Sequence, residues 1–245
     1  MPDDTAPRAV LLDLIRSLAL LGMAAFHFTF DLAMLGLVPA ELVMQGFWPL
    51  WARGVASTFL ILSGFSLVLA QGRGIHLPRL GRRLVRIVGA ALLVTLATRI
   101  GVGPSYVFWG ILHMIAFGTL AGLVFLRLPS LLTLAVAGLV FWMGQSLALP
   151  AYDAPWLLWL GLGTAPVMSV DYVPVFPWFS AVLFGIVLGQ GAGRAGLWDR
   201  VAAVQVARGS LWDRLAWPGR HSLLVYLIHQ PVLIGLLLAY TRLAR

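Results

Sequence analysis

"LLDLIRSLALLGMAAFHFTFDL", residues 11–32, decides the class of this protein. The stretch is long and apolar enough to cross a bilayer as a helix, yet it carries Asp13, Arg16, His27 and Asp31. A charged side chain near the centre of a spanning helix costs about 2.5–3.5 kcal/mol on insertion scales, so such groups are kept for a partner or a task. With Asp13 as the origin, the helical period puts Arg16 at about 300°, His27 at about 320° and Asp31 back at about 0°. All four share one face about 60° wide. Arg16 and His27 are roughly 16 Å apart along the axis, so one polar stripe links the two halves of the membrane. His27 and Asp31 stand at i, i+4, a spacing at which the carboxylate can orient the imidazole and fix its tautomer. A structural reading also fits the stripe taken alone: an Asp13–Arg16 pair near the interface and a hydrogen-bonded His27 inside the bundle.

The rest of the chain agrees with a membrane setting. Its 245 residues are 60% hydrophobic and 11% charged, with a mean hydropathy of +0.93, which a soluble domain with a charged surface does not show. No apolar run alternates as a barrel strand does. The expected fold is all-α, a polytopic transmembrane helical bundle forming a single domain over 1–245. Spanning helices are expected near 10–33, 52–71, 84–101, 105–126, 129–147, 174–191 and 221–241. The stretch 150–163, "PAYDAPWLLWLGLG", suits an interfacial or re-entrant piece and would make the count eight if it crossed.

Cysteine is absent, which excludes disulfides, thiolate metal sites and a cysteine nucleophile. Lysine is absent too, so Schiff-base and lysine-base chemistry are excluded. The net charge of +8 is carried by arginine. Arg73, Arg79, Arg82, Arg83 and Arg86 lie between the second and third spans; Arg194, Arg200, Arg208, Arg214 and Arg220 lie between the sixth and seventh. The positive-inside rule makes both segments cytoplasmic, with the N-terminus inside and Glu41, Asp153 and Asp171 outside. Trp48, Trp51, Trp109 and Trp178 then fall near the outer interface. Arg242 and Arg245 run against the rule. This distribution speaks for membrane orientation and against nucleic acid. The acidic start, "MPDDTAPRAV", leads into a first helix read as retained rather than cleaved.

Further polar groups mark candidate sites. "GRHSLLVYLIHQPVL" (219–233) places Ser222, Tyr226 and His229 at i, i+4 and i+7, a stripe that fits a site or interhelical hydrogen bonding. "WGILHMIAFG" (109–118) carries His113, and "DYVPVFPWFSAVLFGIVLG" (171–189) sets Asp171, two prolines and Trp178 at the start of a helix. The latter reads as a shaped entrance or as a proline-defined helix start. Arg79, Arg82, Arg83 and Arg86 form one basic helix face suited to phosphates, because guanidinium pairs with phosphate in bidentate fashion. Lipid headgroups and topology account for such a face equally well.

Five of these segments, "LLDLIRSLALLGMAAFHFTFDL", "FLILSGFSLVLA", "WGILHMIAFG", "DYVPVFPWF" and "GRHSLLVYLIHQPVL", occur in that order from end to end. Together they resemble bacterial relatives of the heparan-α-glucosaminide N-acetyltransferase catalytic domain, in the transmembrane acyltransferase superfamily. The resemblance implies an acyltransferase moving acetyl from cytoplasmic acetyl-CoA to a sugar amine or hydroxyl, an envelope glycan or amino sugar, on the extracytoplasmic side of a bacterial inner membrane. It implies His27 as the catalytic histidine, with Arg16 in the polar face that serves the donor. Asp31 and His229 join His27 as catalytic candidates. Arg79, Arg82, Arg83 and Arg86 join Arg16 for the donor, and His113, Asp171, Trp178 and Tyr226 are the candidates for substrate. No metal is expected. Ser17 departs from the family's usual Gly after the Arg, and the extra helices of eukaryotic relatives are missing, which points away from heparan as acceptor. The competing reading is a small-anion transporter or permease whose pathway is lined by the same stripe, although no paired-half repeat accompanies it.

Overall fold

The structure, a computed structural model, describes residues 10–72, 74–198, 204 and 206–243. Arg73, Arg200, Arg245 and the acidic residues before Val10 lie outside the described residues. The described chain is all-α: α1 (Val10–Met34), α2 (Glu41–Met44), α3 (Phe47–Gln71), α4 (Leu77–Gly101), α5 (Ile111–Phe125), α6 (Ser130–Ser146), α7 (Val175–Arg194), α8 (Leu211–Arg220) and α9 (Ser222–Leu243). Five of them, α1, α3, α4, α7 and α9, are long and apolar enough to cross a membrane. α5 and α6 are apolar but shorter, at 15 and 17 residues. Only 11% of the most apolar window of α4 and 6% of that of α9 is buried within the protein, so lipid is the solvent that suits their outer faces.

Several boundaries differ from the sequence expectation. α4 begins at Leu77, with Pro78 in its first turn, seven residues before the expected span at 84–101, and it carries Arg79, Arg82, Arg83 and Arg86 on the helix, as their spacing implies. Residues 150–163 form two short 3₁₀ turns, Pro150–Tyr152 and Leu158–Leu160, and supply no eighth α-helical crossing. The segment read as a loop between the last two spans contains α8, an amphipathic helix. Hydropathy alone passes over a ten-residue helix of this kind, because it is too short and too polar to span.

The chain folds as two compact units, Met1–Phe59 with Gly196–Arg245, and Leu60–Ala195. In the first, α1 packs on α8 and α9. Gly219 meets the Asp13 backbone, and its N–H donates to Ser17 Oγ at 2.8 Å. Any side chain at 219 would occupy the Asp13 carbonyl. Ser17 thus has a local task as acceptor for α8. Farther along, α9 meets the second half of α1 through His229 with His27 and Gln230 with Asp31. These pairings keep a nearly constant separation, 202 residues for Ser17–Gly219 and 199 for Asp31–Gln230, so α1 and the C-terminal segment run parallel. On the opposite side of α1, Trp51 Nε1 donates to the Gly22 carbonyl at 2.9 Å, which seats the start of α3.

In the second unit, α3 and α7 touch backbone to backbone: Gly64 faces the Val182 carbonyl and Gly185 the Ile61 carbonyl. Small residues permit this approach where no hydrophobic effect drives helices together. α7 has non-helical dihedrals at Phe176, so its regular part starts at Pro177. Gln190 joins three elements; its Nε2 donates to the carbonyls of Phe125, Leu126 and Leu128 and its Oε1 accepts from Ser130 Oγ at 2.6 Å. The loop before α7 is held by Asp153, which accepts from the Thr164 N–H and hydroxyl and the Ala165 N–H. These donors, the Thr164 contact foremost, hold its carboxyl below the usual carboxylate range.

α8 starts at Ser210, whose Oγ accepts from the Asp213 N–H, while Asp213 accepts from the Gly209 N–H and pairs with Arg220 at 2.7 Å. The Gly209 N–H first, and Arg220 next, hold the Asp213 carboxyl below its ordinary range. A lowered folded value means that the stabilisation is present above the unfolded value of about 3.9 and is lost as pH falls through the folded value. Hydrogen exchange across 209–220, corrected for intrinsic rates, should therefore lose protection only below about pH 4, and Asp213→Ala should show the same loss at neutral pH. Gly219→Leu should lower stability by about 1–3 kcal/mol through overpacking against α1. Gly235→Leu, at a position with open space around it, is the control and should unfold in detergent close to wild type.

Candidate functional site

The first unit gathers the whole α1 stripe. Near its start, Arg16 Nη1 donates to Asp13 Oδ1 at 2.8 Å, the carboxylate buried and the guanidinium partly exposed. This is the i, i+3 pair that the spacing implies. A partly exposed guanidinium can still meet an incoming phosphate.

About three turns of helix beyond Arg16, α1 and α9 bring five polar side chains together: His27, Asp31, Tyr226, His229 and Gln230. The His27 and His229 rings lie 5.0 Å apart, centroid to centroid, at 57°. Tyr226 adds its ring 5.7 Å from His229. His229 Nδ1 is 2.6 Å from the Tyr226 carbonyl. A carbonyl only accepts, so Nδ1 carries the proton, and in the neutral ring Nε2 keeps its lone pair. That Nε2 is buried and has no hydrogen-bond partner among the described residues.

Asp31 is fully buried. The expected His27–Asp31 contact along α1 is not made: Asp31 Oδ1 instead accepts from Gln230 Nε2 at 2.8 Å. The physical reason is that residues at i, i+4 on one face share a neighbouring helix, and here that neighbour supplies a better donor. Asp31 Oδ2 and Gln230 Oε1 are, like His229 Nε2, buried without partners among the described residues. Roughly nine in ten buried polar groups are paired, so three unpaired acceptors among contacting residues mark a place built for something other than packing. The sequence reading did not name Gln230, although it stands four residues past Tyr226, about 40° from it around the helix. The signal available was its place in "IHQP", next to His229.

The other sequence candidates belong to the second unit. His113 has both ring nitrogens engaged: Nδ1 accepts from the Gly110 N–H at 3.2 Å, which puts the proton on Nε2, 3.4 Å from Thr95 Oγ1. The ring stacks on Trp109, in an aromatic cluster that continues through Trp159, Phe117 and Phe179. Asp171 Oδ2 accepts from the Ile111 N–H at 3.0 Å, capping the first turn of α5 across 60 residues, where the helix dipole favours a carboxylate. Trp178 sits half-buried in the first turns of α7. On α4, Arg79, Arg82 and Arg86 are exposed, and Arg83 is half-buried with Nη2 3.4 Å from Ser63 Oγ. Arg82 and Arg86 donate through Nε to backbone carbonyls one turn back, which aligns their guanidinium groups along the helix. Such exposed planar donors suit the phosphates of a large anionic donor.

Two imidazoles and one carboxylate meet on α1 and α9, but among the described residues no group of three or more His, Cys, Asp or Glu side chains is arranged to hold a metal ion. The chemistry on offer is proton transfer and hydrogen bonding to a group that brings its own donors. Comparison with known proteins returned no match among curated proteins and none among solved structures. A family model, described as "Heparan-alpha-glucosaminide N-acetyltransferase, catalytic", matches residues 8–231, a span that takes in the α1 stripe, the arginine face of α4 and the His229–Gln230 pair. The chain belongs to the heparan-α-glucosaminide N-acetyltransferase catalytic-domain family of membrane acyltransferases.

Proposed function

We propose that this protein transfers an acetyl group from cytoplasmic acetyl-CoA to an amine or hydroxyl of a sugar on the extracytoplasmic side of a bacterial inner membrane. The observation that carries the reading is the facing His27–His229 pair beside buried Asp31, with His229 Nε2 left as an unpartnered base. In the reaction, the acceptor nitrogen or oxygen forms a bond to the thioester carbonyl carbon and the carbon–sulfur bond breaks. His27 takes the acceptor's proton, which then passes to the departing thiolate, so charge is balanced within the site. An imidazole suits this task because its neutral ring offers a nitrogen lone pair that can take up a proton. His229 accepts a hydrogen bond from the incoming acceptor, and Asp31 stabilises the positive charge that develops on the imidazoles.

Arg16 serves the donor. The polar stripe from Arg16 to His27 spans roughly 16 Å, comparable to the reach of an extended pantetheine arm. The α4 guanidinium face is a second candidate for phosphate, tested through the CoA affinity of Arg82→Ala and Arg86→Ala. Asp171 and His113 hold the start of α5 in place, and Tyr226, beside His229, is the aromatic candidate for sugar contact in the first unit.

For topology, we read seven crossings, α5 and α6 included, with the N-terminus cytoplasmic. The parallel course of α1 and α9 supports an odd number. Cysteines introduced at Arg79 and Arg208, in a chain without native cysteine, should resist a membrane-impermeant thiol reagent in intact cells. Labelling of both from outside would place the donor side wrongly.

The division of labour along α1 is tested by calorimetric CoA affinity alongside single-turnover transfer to a panel of amino sugars and envelope glycans. Arg16→Ala should weaken CoA binding. His27→Ala should leave it near wild type while slowing transfer by about 10²- to 10⁴-fold, the usual loss on removing a general base. Direct transfer also requires sequential kinetics, whereas ping-pong kinetics with a trapped acetyl-His27 would make His27 the nucleophile. A His27→Ala enzyme that transfers at the wild-type rate removes the assignment.

A further inference from the structure

The α1–α9 cluster contains a residue that the reaction scheme above does not use. Gln230 reaches α1 from the turn that carries His229, and its amide is split between two environments. Its Nε2 donates to Asp31 Oδ1 at 2.8 Å, while its Oε1 is buried and, like the other two atoms named below, has no partner among the described residues. The carboxylate it holds has the same division: Oδ1 is engaged and Oδ2 is unpartnered. His229, next in sequence, spends Nδ1 on the Tyr226 carbonyl and leaves Nε2 unpartnered. Each of the three side chains is therefore fixed by one atom and offers the other.

With the Asp31 carboxyl ionised, all three offered atoms are acceptors. They cannot satisfy one another, since each pair would need a donor between them. An unpaired buried acceptor is costly, so three of them, on Asp31, on Gln230 bonded to it and on His229 next to Gln230 in the chain, point to a ligand that arrives with N–H or O–H donors. We propose that Gln230 is an acceptor-binding and positioning residue. Its amide N–H sets Asp31 so that Oδ2 is offered to the acceptor substrate, and its own carbonyl receives a second donor of the same substrate. The inference rests on the acyltransferase reading for the identity of that substrate, but not for the existence of the site.

Gln230 also sets a preference within the cluster. A substrate group that carries only acceptors, such as a carboxylate or a fully O-esterified sugar face, would face three acceptors and be rejected by unpaired lone pairs. A protonated amine or a vicinal diol would be favoured.

The experiment uses the full-length protein in detergent and two readouts. The first is stabilisation against thermal unfolding by glucosamine, by glucose and by CoA, each added alone. The second is steady-state acetyl transfer at varied glucosamine or glucose and varied acetyl-CoA. Gln230→Leu, of similar volume, should raise the KM for the sugar on the order of ten- to hundred-fold, the cost of a lost buried hydrogen bond, and abolish stabilisation by the sugar. It should leave the KM for acetyl-CoA and the stabilisation by CoA unchanged. In an Asp31→Asn background, Gln230→Leu should cost several-fold less than it does alone, because residues in one hydrogen-bond network are not additive.

Gln230→Glu, which keeps the shape and a carbonyl but not the N–H donor in its ionised form, separates the two tasks: it should behave like Gln230→Leu at high pH and recover towards wild type as the pH falls and the added carboxyl regains a donor. A merely structural role would not produce that pH profile. Wild-type sugar affinity in Gln230→Leu, equal losses for sugar and CoA, strict additivity with Asp31→Asn, or no response of the wild-type protein to either sugar would each overturn the assignment. A wild-type protein stabilised by glucosamine but unable to transfer acetyl would sink the acyltransferase reading instead, and a matching loss of that stabilisation in Gln230→Leu would leave Gln230 in its place.

Discussion

The first unit depends on the contact between α1 and the C-terminal segment, which joins residues about 200 positions apart. Polar groups placed on an apolar helix must be paired, because nothing in a hydrocarbon surround will solvate them. Asp13 pairs with Arg16, Ser17 accepts the Gly219 N–H, and Asp31 accepts from Gln230. Without α8 and α9, three of the polar positions on α1 would lose their surroundings at once. The contact therefore supplies stability and assembles the candidate site in one step. It also explains why Gly219 is glycine: the α8 backbone has to reach α1 itself, not merely its side chains.

The second unit is built by different means. Its helices meet at glycines, Gly64 and Gly185 between α3 and α7, with Gly118 and Gly122 of α5 against Val182, Leu67 and Ile186. Dispersion gains from such close approach replace the hydrophobic drive that lipid does not provide. Its polar side chains close helix ends: Asp171 at the start of α5, Gln190 at its end, Thr98 against the Val107 N–H. Those groups are satisfied, whereas three acceptors of the α1–α9 cluster are not. That contrast separates polar residues that hold the fold from those held by it for another purpose. Trp109 Nε1, buried without a partner in the aromatic cluster, is the exception among the described residues of this unit.

Much of the architecture was legible from residues alone. Apolar runs of spanning length located α1, α3, α4, α7 and α9, because hydropathy is a local property and the bilayer sets the required length. The face shared by Asp13, Arg16, His27 and Asp31 followed from the helical period, and the ordered motifs pointed to the family that the match over residues 8–231 establishes. The apolar span of α4 was placed seven residues late because its arginine-rich first turns lower the hydropathy, although the i, i+3, i+4, i+7 spacing of those arginines read as a helix face and a long side chain can leave the apolar region while its backbone stays helical. α8 was missed for a related reason, since its apolar side faces only part of the way around.

The partner of Asp31 was a different matter. Local spacing nominated His27, four residues away on the same helix, and the sequence by itself determined only that the two share a face. Which donor wins is a question about the neighbouring helix, and the tertiary structure decided it in favour of Gln230, four residues past Tyr226 on α9, because only packing sets α9 against this part of α1. The same holds for His113 and Asp171: as isolated polar residues near helix starts they read as substrate contacts, and only the folded chain set Asp171 on the Ile111 N–H and His113 between Gly110 and Thr95. Composition and period settle what a segment is, because they depend on the solvent and on the helix's own geometry. What a side chain touches depends on residues tens or hundreds of positions away, and those are brought to it only by packing.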